Sequence, residues 1–353
     1  MKKNYYNNKK ILITGCTGFT GSWLILYFNL FGAKIYGYSK KPPFKNSLFE
    51  ILNLRRKINF LEGDICDFKK FKKFYKKSNP DFIFHLAANP IVKDCYYKPI
   101  DTFYSNTIGT LNILEIVRIS TLKKKISINI ITTDKVYRNN DSKIKFDENN
   151  ILGGEDPYST SKVCAELISK TYYKSYFNNK KININMLRSG NIIGGGDWSN
   201  YRLIPDIMKS YIKNKILIIR NPKHIRPWQH IFDVINSYAL IADKIYTKKD
   251  NNFDAWNIGP IKEKKFNVRD IIKLVIKRLD KKIKVRIGKT NILEKKYLQL
   301  DTKKIYKKFN IKNKINTFNA IKITVDWYLN FFKKKNKNFS EEQLKSYLSN
   351  LYE

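Results

Sequence analysis

The feature that most constrains this fold is a short apolar strand that runs directly into three spaced glycines and an apolar helix. The strand is predicted over residues 10–14, and the helix becomes apolar from Ser22 onward. Glycines at this spacing allow a tight turn and let the backbone approach a pyrophosphate that faces the helix N-terminus. The pattern therefore predicts a dinucleotide-binding loop. Its residues are Gly15, Thr17, Gly18, Phe19, Thr20 and Gly21.

Strands and helices continue to alternate after this loop. Further strands are predicted at 34–38, 58–65, 81–88, 126–131 and 182–188. The continuously apolar character of 81–88 is typical of a parallel strand buried on both faces. We therefore expect a Rossmann-like α/β domain with a doubly wound parallel sheet, followed by a smaller C-terminal α/β substrate-binding domain. The first domain is predicted to contain residues 1–182 plus about 228–260, and the second about 183–227 plus 261–353.

The ends of the second, third and fourth strands are predicted to bind the cofactor. The second strand ends in Ser39-Lys40-Lys41 without the carboxylate that often binds the ribose of NAD, so a nicotinamide cofactor is predicted as NAD with NADP left open. Asp64 either accepts from the adenine amino group or caps the next helix. Small residues after the fourth strand allow a flat ligand to approach, whereas His85 is interpreted as a core histidine. The remaining cofactor candidates are Ile65, Leu86, Ala87, Ala88 and Asn106.

A tyrosine–lysine pair follows on a helix predicted to start at Pro157. Tyr158 and Lys162 are four residues apart and share one helical face. A lysine cation beside a phenol favours the phenolate, so we expect the pKa of Tyr158 below about 10. The spacing is not specific by itself. It also occurs at Tyr5/Lys9, Tyr36/Lys40 and Tyr176/Lys180.

Two loops beyond the sixth strand are predicted to contact a ligand. The first contains Gly194-Gly195-Gly196 followed by Asp197 and Trp198. The second contains Arg226, a suitable clamp for a diphosphate. The aromatic residues Trp327, Tyr328 and Phe331 follow helical spacing near the C-terminus and are predicted to belong to the core.

Composition limits the classes of function. The 69 Lys and Arg exceed the 30 Asp and Glu, which gives a formal charge of +39. Such a charge either attracts polyanions or reflects drift in residue usage, and the even spread of lysines favours drift. The four cysteines show no metal-type spacing with the three histidines, which argues against a metal site. The N-terminal ten residues are polar, which does not fit a signal peptide. No apolar run of about 18 residues occurs, so no membrane span is expected. We expect a cytoplasmic protein without a metal, membrane insertion or a specific nucleic-acid partner.

The glycine loop, Thr133, Tyr158 and Lys162 together resemble the extended short-chain dehydrogenase/reductase superfamily. Asp134, directly after the threonine, narrows the resemblance to nucleotide-sugar 4,6-dehydratases. Four longer blocks resemble the CDP-sugar branch of that family, and weaker similarity covers nearly the whole chain. The blocks are residues 18–24, 133–137, 190–198 and 226–230.

The resemblance implies a redox-neutral dehydration of CDP-glucose in deoxysugar synthesis for surface polysaccharides. Tyr158, with Lys162 and Thr133, would take the proton of the sugar 4-hydroxyl while NAD accepts the hydride from C4. The 4-keto group acidifies C5, and Asp134 would protonate the hydroxyl that leaves C6. Hydride then returns to C6. Lys135 stands where the dTDP-sugar enzymes have a glutamate base, and it acts either as an amine base or as an electrostatic aid to the enolate.

The resemblance also implies a substrate site and an assembly. The residues implied to hold the nucleotide sugar are Asn191, Asp197, Trp198, Arg202, Leu203 and Arg226, and a homodimer is expected. Two alternatives are kept. A 4-epimerase of the same fold needs Thr133, Tyr158 and Lys162 but not the Asp134–Lys135 pair. A nucleic-acid-binding protein would bind with steep salt dependence but has no need of the catalytic residues.

Overall fold

The computed structural model describes residues 5–120, 124–141, 143–178, 180–248, 252–260, 265–280, 283–288, 295–336 and 338–352. The first four residues of the polar N-terminal segment lie outside this part, as do several residues of the predicted substrate domain between 261 and 294.

Within the described residues, seven parallel strands form one sheet, and two further pairs of short parallel strands lie outside it. In chain order the strands are β1 Lys10–Thr14, β2 Lys34–Ser39, β3 Asn59–Glu62, β4 Phe82–His85, β5 Ile126–Ile131, β6 Ile182–Ser189, β7 Ile192–Ile193, β8 Leu217–Ile219, β9 Gln229–His230, β10 Phe253–Ile258 and β11 Val285–Ile287. The large sheet has the order β10-β6-β5-β4-β1-β2-β3. This order confirms the predicted doubly wound α/β fold. The small pairs are β7 with β9 and β8 with β11.

Helices cover both faces of the sheet and build the C-terminal part. They are α1 Phe19–Leu30, α2 Leu48–Ile51, α3 Phe68–Ser78, α4 Val92–Tyr97, α5 Pro99–Phe103, α6 Gly109–Ile119, α7 Pro157–Tyr172, α8 Leu203–Lys213, α9 Ile231–Tyr246, α10 Val268–Arg278, α11 Lys303–Phe309, α12 Thr317–Phe332 and α13 Phe339–Tyr352. Single turns of 3₁₀ helix occupy 54–57 and 134–136, and π-helical turns extend α5 over 104–108 and α7 over 173–177.

Two apolar layers enclose the sheet. On one face, α1 and α9 pack against the sheet. Every residue of α1 from Gly21 to Phe28 is buried, so this helix is enclosed on all sides. On the other face, α3 points Phe71, Phe74 and Tyr75 inward and its lysines outward, so its periodicity matches a helix with one buried side. The sheet is therefore covered on both faces, as the apolar strands predict.

The C-terminal part is attached to the first layer through aromatic packing. Trp327 and Tyr328 of α12 are buried, which confirms their predicted core role. A Cβ on Gly195 would lie 2.0 Å from Cγ of Trp327, so only glycine allows this close packing. Trp23 of α1 donates from Nε1 to the carbonyl of Gly195 at 2.9 Å. The loop after β7 is thereby fixed between α1 and α12.

Neither a bilayer-spanning helix nor a metal-type cluster appears in the part of the chain that the structure describes. No helix there is long and apolar enough to cross a membrane. No group of three or more His, Cys, Asp or Glu side chains there is arranged to hold a metal ion.

Candidate active site

The order of strands reverses between β1 and β4, which opens a crevice at the carboxyl ends of the sheet. Gly15 has a φ of +69°, and a Cβ there would lie 2.6 Å from the amide nitrogen of Ala87. A Cβ on Gly21 would lie 2.5 Å from the carbonyl oxygen of Gly15. The loop therefore packs closely on the end of β4. Helix α1 follows Gly18 without a side-chain cap, so its first N–H groups face the crevice in the way that suits a pyrophosphate.

The ends of β2 and β3 carry hydroxyl groups and an ion pair. Thr17 Oγ1 and Ser39 Oγ are 2.7 Å apart. Lys40 Nζ lies 2.8 Å from Oδ2 of Asp64, and both side chains are substantially exposed. Asp67, not Asp64, caps α3. Asp64 therefore does not cap α3 and instead pairs with a lysine at the carboxyl end of the sheet.

Asn106 connects the end of β4 to helix α7. Its Oδ1 accepts from the amide of Asn89 at 2.7 Å, and its Nδ2 donates to Oγ of Ser161 at 2.9 Å. Asn106 is thus positioned between the crevice and helix α7. The other predicted cofactor residues of this region lie at the ends of β3 and β4; they are Ile65, Leu86, Ala87 and Ala88.

His85 belongs to the core, as predicted. Its Nδ1 lies 2.7 Å from Thr14 Oγ1 and its Nε2 lies 3.1 Å from Thr110 Oγ1. Burial lowers the pKa of His85 to about 3, so the ring is neutral at physiological pH. The histidine satisfies its hydrogen bonds inside the sheet and has no part in the site.

Helix α7 begins where the sequence predicts. Asp156 Oδ1 accepts from the amide of Ser159 at 3.0 Å, and Ser159 Oγ accepts from the amide of Asp156 at 3.2 Å. Pro157 occupies the first helical position, which suits its missing N–H. This start places Tyr158 and Lys162 on the buried side of the helix, 9% and 6% exposed.

Burial controls the acidity of both residues. It raises the pKa of Tyr158 to about 12, against the opposing hydrogen bond with Thr133. It lowers the pKa of Lys162 to about 8. Lys162 donates from Nζ to the carbonyl of Ile131 at 3.0 Å. The predicted lowering of the Tyr158 pKa is therefore wrong for this structure, because loss of solvation outweighs the Thr133 hydrogen bond and the charge of Arg202, which favour the phenolate.

The end of β5 supplies a carboxyl group with unusual surroundings. Thr133 Oγ1 donates to Oδ1 of Asp134 at 3.1 Å and accepts from the amide of Lys135 at 3.3 Å. Oδ2 of Asp134 is buried without a hydrogen-bond partner among the described residues. Burial raises the pKa of Asp134 to about 6, although Lys135 and Arg226 oppose the rise. A Cβ on Gly190 would lie 2.3 Å from Cγ of Pro227 and 3.0 Å from Oδ2, so only glycine fits between the proline and this carboxyl.

The loop after β7 has partners within the protein. Asp197 accepts from the amide of Ser199 at 3.0 Å and pairs with Nη1 of Arg202 at 3.1 Å. The ring of Trp198 packs edge-on against Tyr328, with centroids 5.2 Å apart. These contacts, together with Gly195 against Trp327, explain the composition of the loop through packing alone.

The other predicted substrate residues surround the loop from two sides. Leu203 is the first residue of α8 and Arg202 its N-cap. The carbonyl of Asn191 accepts from the amide of Gln229 at 3.0 Å. Arg226 is 8% exposed and donates to the carbonyl of Ile225 at 2.9 Å. The charge of Arg226 acts on Asp134, so the loop that contains Arg226 lies beside this carboxyl.

A buried ion pair behind the site is not among the predicted residues. Glu166 of α7 accepts from Thr132 Oγ1 at 2.8 Å and from Nε of Arg188 at 2.9 Å. Arg188 also donates to the hydroxyl of Tyr137 at 2.7 Å, which donates to Asn257 Oδ1 at 2.6 Å. Two signals indicate it in the sequence: Glu166 lies four residues after Lys162, and Arg188 is the one charged residue of strand β6.

Comparison with known proteins agrees with this architecture. A family model described as GDP-mannose 4,6 dehydratase matches residues 12–324. A CDP-glucose 4,6-dehydratase of Salmonella typhimurium is 39% identical over 309 residues, which are 86% of this chain and 85% of that protein.

Solved structures share the fold at lower identity. A UDP-glucose 4-epimerase of Thermotoga maritima with UDP-glucose superposes with a TM-score of 0.78 at 22% identity, covering 91% of this chain and 99% of that one. A dTDP-glucose 4,6-dehydratase of Bacillus anthracis in complex with NAD has a TM-score of 0.76 at 21% identity, covering 93% and 99%. From the matched family model and the 39% identical relative, the chain belongs to the GDP-mannose 4,6-dehydratase family of extended short-chain dehydrogenases/reductases.

Proposed function

We propose that the chain is an NAD-dependent CDP-glucose 4,6-dehydratase, which forms CDP-4-keto-6-deoxyglucose and water for deoxysugar synthesis. The 39% identical relative supports the activity and the CDP-sugar substrate. One observation carries the proposal: Asp134 is a buried carboxyl with a pKa raised to about 6, electrostatically coupled to Tyr158. A dehydratase needs such an acid for the departing hydroxyl, in addition to the group that serves C4.

The proposed cofactor site is the crevice between β1 and β4. The tight glycine loop and the uncapped start of α1 fit the pyrophosphate of NAD, and Asp64 together with Ser39 lies where the adenosine would be held. Bound NAD would accept the hydride from C4 of the sugar and return it to C6. The NAD complex of the Bacillus anthracis dTDP-glucose 4,6-dehydratase, which shares the fold, supports NAD as the cofactor.

The proposed roles of the reacting residues follow from their contacts. Tyr158 takes the proton of the 4-hydroxyl, and the hydroxyl of Thr133, which donates to Asp134 in this structure, turns to donate to the phenolate. Lys162 holds the helix to the end of β5 through Ile131 and supplies positive charge. Asp134 donates its proton to the hydroxyl that leaves C6, and Lys135 acts at C5 as amine base or electrostatic aid.

The substrate loops are proposed to bind the nucleotide diphosphate. Arg202 and Arg226 supply guanidinium groups on two sides, and guanidinium binds phosphate oxygens in pairs. Asn191 and Leu203 contribute backbone and side-chain surface to the same region. Asp197 and Trp198 are proposed to support it by fixing Arg202 and the loop. The predicted division into a cofactor domain (1–182 plus about 228–260) and a substrate domain (about 183–227 plus 261–353) is proposed with one change: β6, Ile182–Ser189, is part of the seven-stranded sheet and so belongs to the cofactor domain.

We further propose a homodimer and a cytoplasmic location. Large apolar side chains project outward from α4, α5 and the π-helical turn that follows, which favours an isologous interface between two copies. They are Tyr97, Ile100, Tyr104 and Ile108, 73%, 72%, 58% and 37% exposed. The four free cysteines suit a reducing compartment.

The epimerase alternative predicts a different product and is decided by a direct assay. The protein, supplied separately with NAD and with NADP, is incubated with CDP-, dTDP-, UDP- and GDP-glucose. We expect the alkali-dependent ultraviolet absorbance of a 4-keto-6-deoxy sugar, greatest with CDP-glucose and NAD. Accumulation of the C4 epimer without this absorbance would show that the dehydratase assignment is wrong.

Asp134→Asn separates oxidation from dehydration. The amide cannot donate the proton needed at C6, so we expect product formation to fall by about 10²–10⁴-fold while oxidation at C4 persists. Reduced cofactor should therefore accumulate on mixing with CDP-glucose, observed by its absorbance in stopped flow. Asp147→Asn serves as the matched control, because Asp147 lies on the surface and an amide oxygen can still accept from Asn149. Equal slowing of both steps by Asp134→Asn would contradict the division of roles.

The same substitution changes the pH dependence of stability. The pKa of Asp134 is raised in the folded state, so the carboxyl favours folding below its unfolded pKa and that stability is lost as pH rises through about 6. An amide stays neutral. Asp134→Asn should therefore raise the free energy of unfolding at pH 8 by up to about 3 kcal/mol and by little near pH 4. Urea unfolding at both pH values measures this; a pH-independent difference would contradict the raised pKa.

A further inference from the structure

The reacting groups are enclosed in this structure. Thr133, Asp134, Tyr158 and Lys162 are all between 3% and 9% exposed. A nucleotide sugar is a large, charged molecule that must reach Tyr158 and Asp134. Some contact above the site must therefore open during each turnover.

Tyr201, in the loop before α8, has a strained backbone. Its φ is +61°, a region that bulky side chains rarely adopt. Of the eight described non-glycine residues with positive φ, six are Asn or Asp, and Lys334 follows the C-cap of α12. Tyr201 instead stands just before a helix, where extended backbone is usual. Such strain persists only where surrounding contacts hold it and is typical of functional segments.

Two cations from different parts of the fold hold the Tyr201 ring. Lys93 of α4 places Nζ 4.2 Å from the ring centroid, and Arg220, which follows β8, places Cζ at 5.6 Å. Arg220 Nη2 also donates to the carbonyl of Tyr201 at 3.4 Å. The ring itself is 43% exposed. Both cations lie within the range of a cation–π attraction, so Tyr201 bridges α4 and the β8 region.

The bridge lies next to the segment that carries Tyr158. Helix α4, which contains Lys93, packs on α7, which contains Tyr158. Arg202, the next residue after Tyr201, is close enough to act electrostatically on Tyr158. The Lys93–Tyr201 contact therefore connects two segments that neighbour the reacting phenol.

We propose that Tyr201 is a gate residue that closes the substrate cleft by bridging Lys93 and Arg220, and that a nucleotide diphosphate opens it by competing for these two cations. Phosphate oxygens form charge-assisted bonds with guanidinium and ammonium groups, which are stronger than a partly exposed cation–π contact. The strained backbone of Tyr201 relaxes when the ring leaves. This inference rests on the proposed nucleotide-sugar activity.

The test measures how fast CDP binds to the NAD-loaded protein, using stopped-flow tryptophan fluorescence. Tyr201→Asn removes the ring but keeps a residue that accepts positive φ. A gate slows entry and exit alike, so this variant should bind and release CDP at least about threefold faster. Tyr201→Phe keeps the ring between the cations and should behave like the natural protein. Tyr306→Asn is the matched control, since that ring is 42% exposed on α11.

A gate at Tyr201 predicts one pattern of rates across these variants. Faster binding in Tyr201→Asn but not in Tyr201→Phe or Tyr306→Asn supports the gate, and Lys93→Gln should then accelerate binding as well. Unchanged or slower binding in both Tyr201→Asn and Lys93→Gln overturns it, while the proposed function stands if CDP binds normally. If the natural protein binds no CDP, the proposed function itself fails and the gate with it.

Discussion

A buried ion pair, Glu166 with Arg188, holds the helix that carries Tyr158 against the strands that carry the rest of the site. Glu166 lies on the same buried side of α7 as Lys162, and Arg188 lies near the end of β6, while Thr132 joins the pair from the end of β5. Removing one partner of such a pair leaves an unpaired charge inside the protein, which typically costs about 3–5 kcal/mol. The relative position of Tyr158 and Asp134 therefore depends on this contact, although neither charge takes part in the proposed reaction.

Burial then determines what each reacting group can do. Loss of solvation raises the pKa of Tyr158 and of Asp134 and lowers that of Lys162. A pKa raised to about 6 brings Asp134 into the range of a usable acid, whereas the neutral phenol of Tyr158 must be activated by its neighbours. Thr133 donates to Asp134 and lowers the pKa of Tyr158 through a hydrogen bond, so it connects the two groups of the proposed reaction.

Much of this arrangement can be predicted from the sequence, for local reasons. The end of β1, the glycine loop and the start of α7 follow from neighbouring residues, and so they appear where the pattern predicts them. The pKa of Tyr158 could not be predicted, because it depends on burial by distant segments. The need for glycine at position 195 could not be predicted either, because it comes from the close packing of Trp327, more than a hundred residues later in the chain. The bridge from Lys93 through Tyr201 to Arg220 likewise joins three separate parts of the chain and leaves no local signal.

In the proposed reaction, one hydride leaves C4 and returns to C6 of the same sugar while water departs. CDP-glucose carrying deuterium at C4 tests this transfer most directly, with the product examined by NMR and mass spectrometry. We predict that the deuterium appears at C6 of the 4-keto-6-deoxy product, without dilution when unlabelled substrate is mixed in. Loss of the deuterium to solvent, or its recovery at C4 of an epimer, would contradict the proposed transfer.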